Sequence, residues 1–429
     1  MRSIRRFSQT FSELNFQTAS LFVLDGLANV IDFAFHFWMG RKLSPAEFAI
    51  LQTLNSIVLI YVTASSVFQP VVGRFVAEAR ATGRSSTISA IFRSFLGAAL
   101  WLSFGLTLLT LIFSTQLGLW LNLPVWAVQI SASLIFLSSL RPVAAGVLQG
   151  QERFISFGFT RVVTSLGRLV TGIILVYAGL RLRGAVIAFP FGWFLGVVGA
   201  FLFLDTSVWK RGELPPENDI LRRGWQLSFH ALLAYIAFMS LTSVDLIWVN
   251  RMLSADLAGA YASMVLLRRV IALLPGVAVL VMFPRVAATL AQGRLPDRLL
   301  IGTASIVIAA TGALTLIYFF FGDQLVLYIF GAAYLPAASL LGWMGFAMMG
   351  ISLSSIWLNY YLAEEPAIYV ILLCAAVVFE WLLLAQSSAS IQNAVRAFGV
   401  TGWLLTLAGL LLYLIKSRPA LMASPNYHD

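Results

Sequence analysis

Four arginines interrupt long apolar segments of the chain and are the residues best suited to bind a charged ligand. They are Arg161, Arg168, Arg268 and Arg269. A charge at bilayer depth costs roughly 2.5–3.5 kcal/mol, so it is kept where it faces a partner or a wet cavity. A guanidinium binds phosphate oxygens in bidentate fashion and stays charged at any working pH. The four residues therefore predict a cationic pocket for an anion, with Arg161 near its entrance. Alternatively, each pairs with a buried acid or extends to the membrane interface.

The first apolar segment carries a second set of polar residues on one helical face. Asp25, Asn29, Asp32 and His36 follow each other at steps of four, three and four residues. At about 100° per residue they fall within about 60° of one another on a helical wheel. Two carboxylates and an imidazole on one face can bind a cation or relay a proton. They can also balance the charge of the arginines, and both interpretations stay open.

Three oxygen donors lie in later apolar segments. Asp245, Glu380 and Asn393 are the residues concerned. Arg396 offers Glu380 an ion-pair partner.

The composition places these residues in a membrane protein. Of the 429 residues, 60% are hydrophobic and 11% are charged, which excludes a soluble domain of this size. The net charge of +10 comes from residues scattered between apolar segments, so nucleic acid is not an expected partner. The chain is predicted to be an all-α polytopic membrane protein with about twelve spans. These are 17–39, 47–70, 88–114, 125–148, 154–179, 184–205, 224–249, 258–283, 299–322, 335–359, 366–386 and 392–415.

The basic residues between the predicted spans set the expected orientation. Most of them lie on the side of the N-terminus, and five lie on the other side: Arg41, Lys42, Arg181, Arg183 and Arg251. Because cytoplasmic loops carry the excess of lysine and arginine, both termini are predicted in the cytoplasm. Arg141 is expected near a span end, where it would extend to the interface.

The chain repeats itself at an interval of 210 residues. Trp38-x-x-Arg41-x-Leu43-Ser44 returns as Trp248-x-x-Arg251-x-Leu253-Ser254. The repeat predicts two six-helix bundles in the same orientation, related by a pseudo-two-fold along the membrane normal. The predicted domains are residues 1–206, a cytoplasmic linker at 207–223, and residues 224–429.

Several short motifs resemble the polysaccharide-export flippases of the multidrug/oligosaccharidyl-lipid/polysaccharide (MOP) superfamily. They are Arg41–Phe48, Gly146–Gly150, Glu152–Phe154, Asp245–Val249, Ala258–Tyr261, Leu274–Pro275 and Phe283–Pro284. One departure is Ala49, where that family tends to have glycine. The resemblance implies a MATE-like fold, alternating access, and export of undecaprenyl-diphosphate-linked oligosaccharides for a polysaccharide or O-antigen. It also implies the bacterial inner (plasma) membrane as the location, and membrane lipids and other polysaccharide-assembly proteins as partners.

The resemblance suggests roles for the polar residues. Asp25 or Asp32 looks like the functional aspartate of multidrug-extrusion (MATE) transporters of the same superfamily. Asp245, Glu380 and Asn393 resemble a sodium site of some lipid-linked-sugar flippases. Coupling to Na⁺ or H⁺ is therefore expected, without another cofactor or a metal. The diphosphate is expected on Arg168, Arg268 and Arg269.

Two other functions compete with this prediction. A MATE-type antiporter of cationic drugs would need a net anionic cavity, whereas the arginines here outnumber the nearby acids. A membrane glycosyltransferase or polymerase would need acidic catalytic groups and a sizeable external loop. The connections are short, and the chain has no HExxH, GxSxG or P-loop motif. The sequence thus predicts a transporter and no enzyme, with no catalytic residues.

Overall fold

The structure is a computed structural model that describes residues 2–209, 220–292, 296–364 and 366–422. All the regular elements in these ranges are helices, which confirms the all-α prediction. They are α1 (Arg2–Lys42), α2 (Pro45–Ser66), α3 (Phe68–Ala81), α4 (Ser85–Ile112), α5 (Ser114–Leu121), α6 (Val125–Gly150), α7 (Phe154–Leu175), a π-turn (Val176–Leu180), α8 (Arg181–Leu202), α9 (Thr206–Trp209), α10 (Ile220–Leu241), α11 (Val244–Met252), α12 (Ala255–Ala291), α13 (Asp297–Ile329), a 3₁₀ segment (Ala332–Leu340), α14 (Leu341–Glu364), α15 (Pro366–Gln386) and α16 (Ile391–Met422).

Ten helical runs in the described ranges are long and apolar enough to cross a membrane. One of them, Phe154–Leu202, has 49 residues and contains both α7 and α8. The chain reverses between the two helices at Gly179, whose φ of 90° suits a residue without Cβ. Each of the two helices has 22 residues, about the length needed for one crossing. The protein is therefore a multi-pass membrane protein.

The chain divides into two compact units. The first comprises Met1–Leu43 and Leu54–Leu232, and the second comprises Ser44–Thr53 and Leu233–Asp429. The second unit therefore takes in the first residues of α2. The predicted linker at 207–223 lies mostly outside the described residues, and the predicted domain boundary stays a prediction.

The start of α2 shows how the sequence Ser44-Pro45-x-Glu47 forms a helix end. Glu47 accepts a hydrogen bond from the Ser44 backbone at 2.9 Å, and Ser44 Oγ accepts one from the Glu47 backbone at 3.3 Å. This is a capping box, and proline suits the first helical position because its missing N–H would have no partner there. Phe48 then packs on Phe330 and Tyr334, with ring centroids 5.7 and 5.8 Å apart. These contacts attach the start of α2 to the second unit.

In the first unit, α7 packs between α1 and α8, and α6 packs on α3, α4 and α8. A Cβ on Gly172 of α7 would lie 2.6 Å from Phe35 Cε2 on α1. A Cβ on Gly192 of α8 would lie 2.6 Å from the Thr164 carbonyl oxygen on α7. Small residues at such positions let membrane helices approach closely. Gly172 therefore lets α7 approach α1, and Gly192 lets α8 approach α7.

In the second unit, α12 and α14 are the central helices. Helix α12 packs on α13 and α14, and α14 packs on α13 and α16. Tyr318 on α13 donates its hydroxyl to the Leu267 carbonyl on α12 at 2.8 Å, which satisfies a polar group that would otherwise be buried without a partner. Helix α11 lies against α12, α15 and α16. These contacts bring residues of four helices to one buried point, described below.

Candidate functional site

Two ion pairs join α1 to α7 in the first unit. Arg161 pairs with Asp25, and Arg168 pairs with Asp32. The aspartates are seven residues apart on α1 and the arginines are seven apart on α7, so the two helices run parallel in matched register. At 1.5 Å per residue the pairs lie about 10 Å apart along the helices. In this structure Asp25 and Asp32 thus balance the charges of Arg161 and Arg168, as one of the two interpretations of their sequence pattern expects.

The pair nearer the N-terminus of each helix is accessible. The Arg161 and Asp25 side chains are 35% and 36% exposed. Arg161 Nη2 also lies 3.4 Å from the side-chain oxygen of Asn29. Arg161 is thus the more exposed of the two arginines, and its role at an entrance stays a prediction.

The second pair lies deeper and has aromatic walls. The Arg168 guanidinium lies 5.3 Å from the ring centre of Phe35 and 4.9 Å from that of Phe189. Its contact with Asp32 is an ion pair without hydrogen-bond geometry, and the buried Nε of Arg168 has no acceptor in the described residues. His36 is buried beside the same two rings. Arg168 is therefore neutralised by Asp32 but not saturated with hydrogen bonds.

A third arginine joins this site, and the sequence did not reveal it. Arg141 was expected near a span end, but it lies well inside α6, sixteen residues after Val125. Its guanidinium lies 5.4 Å from the Trp193 ring centre on α8. It also interacts electrostatically with Arg161, Asp25 and Asp32. We call the group of Asp25, Asn29, Asp32, His36, Arg141, Arg161 and Arg168 the N-terminal cluster.

The second unit holds a different group, Asp245, Tyr261, Arg268 and Glu380, which we call the C-terminal cluster. Asp245 and Arg268 form a bidentate ion pair that includes a 2.9 Å bond from Nη2 to Oδ1. Tyr261 donates its hydroxyl to the same carboxylate. Asp245 lies on α11, while Tyr261 and Arg268 both lie on α12. The carboxylate is thus held by two side chains of one helix.

Arg268 makes further contacts around this ion pair. Nη2 donates to the Thr242 carbonyl at 2.8 Å, and Nη1 lies 3.4 Å from Met344 Sδ. The Phe398 ring centre lies 4.0 Å from the guanidinium carbon. Only 1% of Arg268 is exposed. In this arrangement the guanidinium of Arg268 is enclosed by residues of the second unit, and its docking role stays a prediction.

Glu380 is the unbalanced acid of the C-terminal cluster. It is fully buried, and neither carboxyl oxygen has a hydrogen-bond partner among the described residues. It interacts electrostatically with Asp245 and Arg268. Arg396 is exposed on α16, so the suggested pair between Arg396 and Glu380 is wrong. Two acids therefore share one arginine in this cluster.

The remaining predicted residues have simple positions. Arg269 is half-buried next to Arg268 on α12. Asn393 donates its side-chain amide to the Ser388 carbonyl at 3.0 Å, at the start of α16. No group of three or more potential metal ligands occurs in the part of the chain that the structure describes.

Comparison of the sequence with known families finds one match that covers most of the chain. Residues 17–290 match the family described as "Polysaccharide biosynthesis protein". The chain belongs to this family. Among curated proteins, none matches the chain.

Solved structures show the same fold. An inward-facing multidrug resistance MATE family transporter of the MOP superfamily has a TM-score of 0.80 at 13% identity, over 94% of this chain and 96% of the other. The lipid II flippase MurJ in an inward closed conformation has a TM-score of 0.69 at 12% identity, over 91% of this chain and 87% of the other. The MATE multidrug transporter DinF-BH in complex with R6G has a TM-score of 0.66 at 12% identity, over 96% of both chains. This polysaccharide biosynthesis family member thus has the MOP-superfamily fold, as the sequence predicted.

Proposed function

We propose that the protein is a flippase that translocates an undecaprenyl-diphosphate-linked oligosaccharide across the bacterial inner membrane by alternating access. The precursor would serve a polysaccharide or an O-antigen, and both termini would lie in the cytoplasm. The family and the fold support transport in polysaccharide assembly. The N-terminal cluster carries the proposal for an anionic substrate, because three arginines there face only two aspartates.

The two ion pairs suggest how such a site works. Without substrate, Asp25 and Asp32 neutralise Arg161 and Arg168 and so lower the cost of keeping them at bilayer depth. A diphosphate offers several strong acceptor oxygens and displaces the single carboxylates. Bidentate arginine–phosphate contacts then replace the ion pairs. The aspartates act as internal substitutes for the substrate anion.

The C-terminal cluster receives a different role in this proposal. Arg268 is committed to Asp245 and to the Thr242 carbonyl, so we assign it to the stability of the second unit. Arg269, half-buried beside it, remains proposed as a substrate-binding residue together with Arg161 and Arg168.

We propose that Glu380 couples transport to an ion. An ionised carboxyl group without a donor is costly in a buried site, so Glu380 must gain a proton or a cation when it lies as it does here. Release of that proton or Na⁺ would accompany a change in the cluster around Asp245. On the N-terminal side, Asp25, Asn29, Asp32 and His36 are proposed to exchange a proton or cation as substrate arrives.

The proposal is tested in proteoliposomes with a fluorescent undecaprenyl-diphosphate-linked oligosaccharide. Enzymatic cleavage of the exposed sugar then reports the leaflet in which it lies. We expect translocation by the unmodified protein and its loss in the double variant Arg161→Gln, Arg168→Gln. Arg396→Gln is the matched control, because Arg396 is an exposed arginine in a membrane helix outside both clusters.

Other outcomes would identify the rival functions. Movement of a cationic dye such as R6G, with no movement of the lipid, would show a MATE-type antiporter. Chemical extension of the sugar would show a glycosyltransferase or polymerase. Either outcome without lipid translocation overturns the proposal.

A further inference from the structure

Arg141 and Arg168 lie against the same face of α8. Arg168 contacts the Phe189 ring at 4.9 Å, and Arg141 contacts the Trp193 ring at 5.4 Å. Phe189 and Trp193 are four residues apart, and side chains at that spacing are neighbours on a helix surface, with about 5–6 Å between Cβ atoms. The two guanidiniums, from different helices, are thereby placed on neighbouring rings.

The charges at this point are not balanced. Asp32 pairs with Arg168 and Asp25 pairs with Arg161, while no carboxylate pairs with Arg141 among the described residues. Three guanidiniums and two carboxylates leave one positive charge in excess. Like charges that lie close together in a membrane protein are unfavourable unless an anion joins them.

The unsatisfied hydrogen-bond donors of the two arginines also favour a bound anion. The Nε atoms of Arg141 and Arg168 are both buried, and neither has an acceptor in the described part of the chain. Most buried donors in proteins are satisfied, so two unsatisfied donors on arginines that contact adjacent rings of α8 favour an acceptor from a ligand. An oxyanion supplies several acceptor oxygens at once.

We propose that Arg141 is a further substrate-binding residue and that it sets a preference for diphosphate over monophosphate lipids. This inference rests on the proposed function. Arg141 would bind one phosphate group while Arg168 binds the other, with Asp32 displaced. A monophosphate has a single phosphate group and so makes only one of these two contacts. Trp193 is a positioning residue, because its ring centre lies 5.4 Å from the Arg141 guanidinium.

The test measures binding of undecaprenyl diphosphate and undecaprenyl monophosphate to the full-length protein in lipid nanodiscs. A lost bond to a charged group is worth about 1.5–3 kcal/mol. We therefore expect Arg141→Gln to weaken diphosphate binding roughly 10- to 100-fold, with a much smaller effect on the monophosphate. Arg141→Lys should restore part of the affinity, and Trp193→Ala should reduce the preference for the diphosphate. Arg396→Gln is the control.

The outcomes separate this inference from the proposed function. If the unmodified protein prefers the diphosphate and Arg141→Gln and Arg141→Met keep that preference, Arg141 is not part of the site and the flippase proposal stands. If the unmodified protein binds neither lipid, both proposals are overturned. The inference is supported if the variants keep the melting temperature of the unmodified protein but lose the ratio of diphosphate to monophosphate affinity. A merely structural role of Arg141 would not change that ratio.

Discussion

Arg268 holds Asp245 in a bidentate ion pair at a point where both side chains are almost fully buried. The arginines of the first unit differ, since Arg161 is one-third exposed and Arg168 leaves its Nε without an acceptor. The arginines of this chain thus have two kinds of surroundings. Arg268 is enclosed by its partners, whereas Arg161 is partly exposed and Arg168 keeps a donor without an acceptor in the described residues.

Breaking the pair between Arg268 and Asp245 should destabilise the protein. Removal of one partner leaves an uncompensated buried charge, which costs about 3–5 kcal/mol. We expect Arg268→Met, which leaves Asp245 and Glu380 buried without a cation, to lower the melting temperature of the purified protein clearly. Asp245→Asn should lower it less, because Arg268 still lies near Glu380. The double variant Arg268→Met, Asp245→Leu should be more stable than Arg268→Met alone, since it also removes one of the two acids left without a cation. Single variants that melt like the unmodified protein would contradict the structural role of Arg268.

Removal of Asp32 should strengthen anion binding. Asp32 pairs with Arg168, so in the proposed site it would compete with the substrate for this guanidinium. An ion pair of this partial exposure is worth about 1 kcal/mol, so we expect Asp32→Asn to bind undecaprenyl diphosphate roughly fivefold more tightly. Translocation should slow, because the tightly bound lipid is released less readily. The measurement is binding in nanodiscs beside transport in proteoliposomes. Weaker binding in Asp32→Asn would mean that this carboxylate contacts the substrate favourably.

Replacement of Glu380 should remove the ion dependence of transport while the fold persists. Glutamine has nearly the shape of glutamate but no charge, so the buried site no longer needs a proton or a cation. We expect Glu380→Gln to remain folded and to translocate lipid at a rate independent of an imposed pH or Na⁺ gradient. Asp323→Asn is the matched control, because Asp323 is an exposed carboxylate on α13. Retention of the gradient response in Glu380→Gln excludes this residue as the coupling group.

A methyl group at Gly192 should disturb the arginine site from a distance. The added Cβ would lie 2.6 Å from the Thr164 carbonyl, so α7 and α8 must separate. Overpacking of this kind costs about 1–3 kcal/mol. We expect Gly192→Ala to lower both the melting temperature and the affinity for undecaprenyl diphosphate. Gly199→Ala on the same helix meets no atom within 4 Å and should be neutral or slightly stabilising. Equal melting temperatures for the two variants would show that the helices move apart without cost.

The local parts of this structure could be read from the sequence because they depend on neighbouring residues. Long apolar runs determine where helices cross a membrane, and Ser44, Pro45 and Glu47 determine where α2 begins. The positions of Asp25 and Asp32 on one face follow from helical periodicity. Their seven-residue spacing already equals that of Arg161 and Arg168.

Tertiary structure decided which charged side chains pair with each other and how deeply they are buried. No periodicity indicates that α11 and α12 bring Asp245 to Arg268, or that Glu380 lies beside them without a partner. The surroundings of Arg141 also could not be predicted from the sequence. Its distance from a helix end suggested the interface, but the packing of α6 on α8 brings it to Trp193. A helix sequence determines which residues share a face. The neighbour that the face meets depends on helix packing, which in turn depends on small residues such as Gly172 and Gly192 that lie far from the charges along the chain.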